Sequence, residues 1–202
     1  MQLYLASSSP RRRDILRGLG LAFQVVPVQL EERMPAGAPP GEAVRAVARD
    51  KALAAPLPAG DGLVLGADTV VVRDGEILGK PRDVREAERM LGSLTGRTHL
   101  VYTGVAVRRG REVLVDHEMT TVWLRRLAPA QVRAYVATGE PLDKAGGYAI
   151  QGVGALLVER IEGCYTNVVG LPLGLLGRML ESFGVNLLGL VTDGGSGGDG
   201  HG

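Results

Sequence analysis

Three arginines occupy the first turn of a predicted helix near the start of the chain. In the stretch LASSSPRRRDIL, Ser9 and Pro10 suit a helix start, with a hydroxyl residue at the N-cap and proline at the first helical position. Arg11, Arg12 and Arg13 then fill the turn. Exposed cations at this end of a helix are unfavourable by about 0.3–1 kcal/mol each. A phosphate would compensate them, because helix-start amides and arginine side chains both bind phosphate.

Lysine is rare in this chain, so each lysine position is informative. The 23 basic residues include three lysines, Lys51, Lys80 and Lys144. Lys51 lies in the middle of the apolar face of a predicted helix, where its side chain either extends to solvent or directs the ammonium inward at an anion. Lys80, in LGKPRD, is either an ordinary turn lysine or a second ligand of that anion.

Carboxylates occupy two positions where they could do chemistry. Asp68 interrupts the apolar strand pattern LVLGADTVVV, so it requires a cation, a metal ion or strong donors unless it faces solvent. Gly66, on the same face, is expected to leave room for a ligand close to the backbone. Glu31 and Glu32 are either a solvated acidic pair or ligands of a divalent metal ion.

Two further segments carry polar residues among small or apolar ones. In EPLDKAGGYAIQGVGALL these are Lys144 and Gln151, and the segment is alternatively a plain glycine-rich connection. In GCYTNVVGLPL, Asn167 either satisfies loop amides or contacts a ligand.

Composition and missing motifs exclude several classes of function. The net charge of +1 gives no general attraction to nucleic acid or membranes, and no P-loop or zinc motif is present. The chain has no signal-peptide pattern and no apolar run near the ~18 residues of a membrane helix. Its single cysteine, Cys164, suits a reducing compartment. We therefore expect a cytoplasmic protein without a nucleic-acid or membrane partner.

Helix and strand patterns alternate along the chain, with long hairpins in the middle. The predicted elements are a strand at 3–6, a helix at 10–19, a strand at 22–28, a helix at 42–55, a hairpin at 62–78, a helix at 83–94, long strands at 98–109 and 111–127, a helix from 129, a strand at 155–161 and a last helix at 171–183. This order favours a mixed-sheet α/β or α+β fold. One domain over residues 1–190 and a disordered Gly-rich tail at 191–202 are expected.

Taken together, the cations and carboxylates fit a polyphosphate with a divalent cation. A nucleic-acid patch is the competing interpretation, and arginines without interleaved aromatics in a near-neutral protein support it poorly.

The same segments, in this order, resemble the Maf family of nucleotide pyrophosphatases. They are LASSSPRRRDIL, LEE, ARDKA, LGADTVVV, GKPRD, GRTHLVYTGV, EPLDKAGGYAIQG and GCYTNVVGLPL, between residues 3 and 173. The resemblance implies a two-lobed mixed-sheet fold of the type shared with ITP pyrophosphatases, with the active site in a cleft between the lobes. It implies hydrolysis of nucleoside triphosphates to monophosphate and pyrophosphate with Mg²⁺, Mn²⁺ or Co²⁺.

The resemblance also implies residue roles. It assigns phosphate contacts to Ser8, Arg11, Arg12, Lys51 and Lys80. Catalytic or metal-binding carboxylates are Glu32 and Asp68, with Asp68 the proton acceptor; family members often carry aspartate at the Glu31 position. Thr69 and Gln151, in GADT and YAIQG, imply the branch that prefers dTTP, UTP and modified analogues, and their side chains can bond a pyrimidine edge. Arg11 is a further specificity position.

Two alternatives stay open at this point. A non-catalytic nucleotide-binding regulator of septum formation would keep the cations without needing Asp68, and a phosphatase would release orthophosphate. The family resemblance implies removal of unwanted nucleotides as the biological role, and a homodimer.

Overall fold

Seven strands form one mixed sheet within residues 2–30, 33–56 and 62–194, the parts of the chain that this computed structural model describes. The strands are β1 (Leu3–Ala6), β2 (Phe23–Val25), β3 (Leu63–Arg73), β4 (Glu76–Leu78), β5 (Thr98–Arg109), β6 (Glu112–Leu124) and β7 (Val158–Glu162). Their order is β2-β1-β3-β5-β6-β7, with β4 paired to the end of β3. β1 is parallel to β2 and β3 and the other pairs are antiparallel, which confirms the predicted mixed α/β sheet.

Helices cover both faces of this sheet. They are α1 (Pro10–Gly18), α2 (Pro40–Ala54), α3 (Val84–Leu94), α4 (Pro129–Val136), α5 (Tyr165–Val169), α6 (Leu173–Ser182) and α7 (Leu187–Gly194). Three short 3₁₀ turns, at Glu140–Asp143, Ala145–Gly147 and Gly152–Leu157, shape the glycine-rich segment. Across the described ranges, no helix combines the length and the apolar character required to cross a membrane.

Two separate hydrophobic cores form at opposite ends of the long strands. In the first, β1, α1 and α6 pack against the beginning of β3 and the end of β5, around Leu65 and Val107. In the second, α3 and α4 pack against the other ends of the same strands, around Val71 and Val101. The shared strands hold the two lobes in one sheet, and the predicted two-lobed architecture is confirmed.

Helix α2 covers the opposite face of the sheet at very close range. A Cβ atom at Gly66 would lie 2.2 Å from the carbonyl oxygen of Ala48, and one at Gly104 would lie 2.3 Å from the carbonyl oxygen of Val44. The prediction that Gly66 leaves room for a ligand is therefore wrong: the space is taken by the backbone of α2. The close approach brings Lys51 of α2 against β3.

A buried arginine fixes the end of α2. The Arg108 Nη1 atom donates to the carbonyl oxygens of Ala52, Leu53 and Ala55 at 3.0–3.1 Å. Carbonyl groups in the last turn of a helix lack partners within the helix, so a cation there satisfies them. Together with the two glycines, Arg108 fixes how far α2 extends along the sheet.

Several element boundaries differ from the predicted ones. The strand predicted at 155–161 begins at Val158, because residues 152–157 form a 3₁₀ turn. The helix predicted to be last is followed by α7, which includes residues 191–194 of the predicted tail because Leu187, Leu190 and Val191 pack against the first core. Residues 195–202 lie outside the described part of the chain.

The N-caps of α3 and α1 differ in whether a side chain bonds to the first turn of the helix. Asp83 caps α3, where its carboxylate accepts a hydrogen bond from the Glu86 amide at 2.8 Å. Ser9 stands at the N-cap of α1 but its side chain makes no capping bond; its amide instead donates to Ser7 Oγ.

We predict that Gly66→Ala destabilises the protein by at least about 2 kcal/mol, because the new methyl group meets helix backbone that cannot rotate away. Gly92, inside α3, has open space around its Cβ position. Gly92→Ala is the matched control and should stabilise by about 0.5–1 kcal/mol. Urea unfolding measures both, and equal stabilities for the two variants would contradict the close packing of α2.

Candidate active site

A cleft of about 490 Å³ lies between the two lobes, beside an interrupted edge of β3. β1 pairs with β3 as far as Gly66, and β4 pairs with it from Val71 onward. Within the described chain no strand covers the edge between these two positions, so the side chains of Asp68 and Thr69 border an open gap. The volume falls within the range of about 300–1,000 Å³ typical of small-molecule sites.

The carboxylate of Asp68 and the ammonium of Lys51 form a buried ion pair in this gap. Lys51 Nζ donates to Asp68 Oδ1 at 2.8 Å, and the two side chains are 11% and 7% exposed. The interpretation of Lys51 as a lysine that extends to solvent is therefore wrong, and its ammonium points inward as the alternative predicted. Asp68 Oδ2 is buried without a hydrogen-bond partner among the described residues.

Arg12 connects four segments around the cleft. Its Nε donates to the carbonyl oxygen of Gly170 at 2.8 Å, Nη1 to Ser7 Oγ at 3.1 Å and Nη2 to Thr69 Oγ1 at 3.0 Å. These bonds join the end of β1, α1, β3 and the end of α5. The sequence predicts that Arg12 costs stability in the empty protein, whereas these bonds show that the protein itself supplies acceptors for the guanidinium.

A chain of hydroxyl groups continues from Thr69 into the sheet. Thr69 Oγ1 and Thr103 Oγ1 lie 2.9 Å apart, and Thr103 donates to the carbonyl oxygen of Asn167. The Asn167 side chain is fully buried and donates to Val101 O and Thr120 Oγ1. Neither role predicted for Asn167 matches these contacts: its amide joins α5 to β5 and β6 rather than satisfying loop amides, and Asn167 does not line the cleft.

Residues of both lobes form an ion-pair cluster at the mouth of the cleft. Arg11 Nη1 lies 3.9 Å from Asp143 Oδ2, and Lys144 Nζ donates to Asp143 Oδ1. Burial lowers the pKa of Arg11 below its usual value, and the charge of Asp143 partly offsets this effect. Arg13, the third arginine of the turn, does not line the cleft.

Part of the second-lobe wall is aromatic and uncharged near neutral pH. Tyr148 lines the cleft, and its hydroxyl lies 2.6 Å from Nε2 of the buried His99. Burial lowers the pKa of His99 to about 4 and raises that of Tyr148 above its usual range. Tyr148 and His99 therefore shape the wall of the cleft without adding charge to it.

Gln151 is positioned through the segment that follows it. Glu140 accepts hydrogen bonds from the amides of Val153 and Gly154 at 3.0 Å and from the hydroxyl of Tyr135 at 2.9 Å. These bonds fix the backbone next to Gln151, whose exposed side chain lines the cleft.

Every predicted site residue that the structure describes lines this one cleft. Those lining it are Ser8, Arg11, Arg12, Lys51, Asp68, Thr69, Lys80 and Gln151. Ser8, Lys80 and Gln151 are exposed. Glu31 and Glu32 lie outside the described residues.

Sequence reasoning missed Ser7, Asp143 and Tyr148. Ser7 is buried and bonds Arg12, whereas Ser8 is exposed. The two-residue alternation that points Leu3 and Leu5 inward also points Ser7 inward, so this signal was present in the sequence. Asp143 and Tyr148 carry no such signal, because glycines turn the backbone around them.

The described residues of the cleft supply part of a ligand set for a divalent cation. It contains no cluster of three or more histidine, cysteine, aspartate or glutamate side chains within the described residues. The buried Asp68 Oδ2 atom, however, is a hard oxygen donor with no hydrogen-bond partner in that part of the chain. Mg²⁺ commonly uses one or two carboxylates and completes its shell with water and substrate phosphates.

Comparison with known proteins gives a consistent picture. Residues 2–183 match the family described as Maf-like protein. A protein of Pelotomaculum thermopropionicum named dTTP/UTP pyrophosphatase is 51% identical over 189 residues, 93% of this chain and 99% of that protein. Proteins with the same name from Moorella thermoacetica and Gloeobacter violaceus are each 54% identical, over 94% and 91% of this chain and 99% and 96% of their own length.

A solved structure shares the fold. The structure of the Staphylococcus aureus Ham1 protein aligns with a TM-score of 0.54 at 14% identity, covering 91% of this chain and all of that one. At this identity the similarity concerns the fold alone.

We predict that Arg12→Ala destabilises the protein without nucleotide by about 2–4 kcal/mol, because Gly170 O, Ser7 Oγ and Thr69 Oγ1 each lose a charged donor. Arg13→Ala, in the same helical turn, is the matched control and should change the free energy of unfolding by less than about 0.5 kcal/mol. Chemical denaturation of the nucleotide-free proteins measures both. Equal stability of the Arg12→Ala variant and the unmodified protein would contradict the role of Arg12 as a structural link.

Proposed function

We propose, because this chain belongs to the Maf-like protein family, that its cleft hydrolyses dTTP and UTP to the nucleoside monophosphate and pyrophosphate. The relatives named for this activity are about half identical to it over nearly their whole length. The predicted nucleoside triphosphate pyrophosphatase activity agrees with those names.

The observation that carries the proposal is the charge arrangement of the cleft. Five cationic side chains line it, belonging to Arg11, Arg12, Lys51, Lys80 and Lys144. The buried Asp68 carboxylate lies among them, with one oxygen held by Lys51. A triphosphate supplies the negative charge that such a cleft lacks, and the carboxylate supplies a base close to it.

The proposed chemistry is attack of water on the α-phosphorus. The water oxygen forms the new bond to that phosphorus, and Asp68 Oδ2 accepts a water proton. The bond from the α-phosphorus to the bridging oxygen breaks, and its electron pair leaves with pyrophosphate. Lys51 orients the Asp68 carboxylate by its hydrogen bond to Oδ1, and Arg11 and Lys80 stabilise the charge that develops on the leaving group.

A divalent cation belongs to this proposal, with Asp68 and Glu32 as its protein ligands. Mg²⁺ or Mn²⁺ suits carboxylate oxygens, and Co²⁺ is a further candidate. When bound, such an ion supplies Lewis-acid polarisation of the phosphate oxygens and lowers the pKa of water.

The pyrimidine contacts are proposed for Thr69 and Gln151. Thr103 donates its single hydroxyl proton to Asn167 O, so Thr69 is the donor in its bond with Thr103. Thr69 also accepts from Arg12 and can therefore only accept a further bond from a base. Thymine and uracil, and modified bases that keep N3–H, present such a donor. Cytosine does not present one at N3.

The experiment that tests the function identifies the products. The protein is incubated with dTTP, UTP, CTP and GTP, with Mg²⁺ or Mn²⁺, in ¹⁸O-labelled water. We expect monophosphate and pyrophosphate from dTTP and UTP, with the label in the monophosphate. Orthophosphate release would identify a phosphatase, and tight nucleotide binding without turnover would favour the non-catalytic regulator; either result contradicts the proposal.

We predict that Asp68→Asn lowers kcat by more than about 100-fold, because the amide cannot accept the water proton. Nucleotide affinity should stay within about tenfold, roughly 1.4 kcal/mol. Asp50→Asn, an exposed position on α2, is the matched control and should keep normal kinetics. Steady-state kinetics and nucleotide titrations measure these effects, and a folded Asp68→Asn protein with near-normal kcat would remove Asp68 from the chemistry.

A further inference from the structure

The cluster of Arg11, Asp143 and Lys144 connects the two lobes across the mouth of the cleft. Arg11 lies in the first turn of α1, which belongs to the first lobe. Asp143 ends a 3₁₀ turn that packs against α3 and α4 of the second lobe. One carboxylate therefore meets one cation from each lobe, Lys144 through Oδ1 and Arg11 through Oδ2.

In this cluster the two cations are more buried than the anion that they share. The side chains of Lys144 and Arg11 are 15% and 28% exposed, whereas that of Asp143 is 61% exposed. Two partly desolvated cations thus share one well-solvated anion. Arg11 Nη1 is buried and has no hydrogen-bond partner in the described part of the chain, since 3.9 Å to Asp143 is too long for one.

The cluster therefore contains two positive charges and one negative charge. Burial raises the pKa of Asp143, but the hydrogen bond and charge of Lys144 and the charge of Arg11 outweigh this effect and hold it below its usual value. Asp143 is therefore ionised near neutral pH and interacts with both cations. A ligand with several anionic oxygens could satisfy these cations more completely than a single carboxylate.

We propose that Asp143 is a built-in substitute for substrate phosphate, which holds Arg11 and Lys144 in the empty cleft and is displaced when the triphosphate enters. Lys144 then binds the pyrophosphate portion of the substrate, together with Arg11. This inference rests on the proposed function for the identity of the ligand, and it assigns to Lys144 and Asp143 roles that neither the sequence nor the relatives' names indicate.

Displacement has a direct consequence for affinity. If part of the free protein has its cations held by Asp143, the apparent affinity for phosphate is reduced by the fraction in which they are available. Removing the charge of Asp143 should increase that fraction and also remove its repulsion of the incoming phosphates. Removing the charge of Lys144 should have the opposite effect, because a charge-assisted bond to the ligand is lost.

The test measures the dissociation constant of inorganic pyrophosphate by calorimetry, in the presence of Mg²⁺, for the full-length protein and three variants. Asp143→Asn should lower the Kd three- to tenfold. Lys144→Met should raise it tenfold or more, and Lys144→Arg should recover most of the lost affinity. KM for dTTP should change in the same directions.

Asp74→Asn is the matched control. Asp74 is an exposed aspartate that also contacts two arginines, Arg73 at 3.4 Å and Arg97 at 4.0 Å, but it does not line the cleft. This variant should leave the Kd of pyrophosphate within twofold. Thermal unfolding of every variant separates loss of affinity from loss of fold.

Three results would overturn the inference. One is a Kd that stays within twofold or rises in Asp143→Asn, and another is an unchanged Kd in folded Lys144→Met. The third is an unmodified protein that binds no pyrophosphate. Because calorimetry needs no turnover, a protein that binds pyrophosphate as expected but fails to hydrolyse dTTP and UTP would reject the proposed function and leave this inference intact.

Discussion

Keeping a carboxylate charged beneath the surface of the sheet is the constraint on which the rest of the site depends. Asp68 is almost fully buried, and an uncompensated charge there would cost several kcal/mol. Lys51 compensates it at 2.8 Å, but only because the α2 backbone lies against β3 and β5. That approach requires glycine at Gly66 and Gly104, where any side chain would overlap the helix. The buried ion pair thus depends on two positions without side chains, on the face of the sheet opposite the first core.

The interrupted edge of β3 places this buried pair in the wall of the cleft. β1 ends its pairing at Gly66 and β4 begins at Val71, so the intervening residues border the cleft rather than another strand. Side-chain interactions then hold the segments around the gap in position. Arg12 links the ends of β1 and α5 to β3 by hydrogen bonds inside the cleft, and the Asp143 cluster links the two lobes at its mouth through an exposed carboxylate. The first is part of the fold, and the second can be exchanged for a ligand.

Properties set by local pattern could be predicted from the sequence, and properties set by contacts between distant segments could not. The apolar residues around Lys51 and Asp68 raised the possibility of an inward lysine and a buried carboxylate but left solvent-facing alternatives open, and their mutual pairing depends on the register of α2 on the sheet. The role of Gly66 was misassigned for the same reason, since the sequence does not show which segment fills the space. Asp143 reaches the cleft through turns that no periodicity describes.

The central claim is that Lys51 and Asp68 are one coupled pair, and a double-mutant cycle on the free energy of unfolding at pH 7 tests it most directly. Lys51→Met alone leaves the buried carboxylate uncompensated and is expected to cost about 3–5 kcal/mol. Adding Asp68→Asn removes that charge, so the double variant should be more stable than Lys51→Met, with a coupling energy above about 1 kcal/mol. Additive effects of the two substitutions would contradict the account.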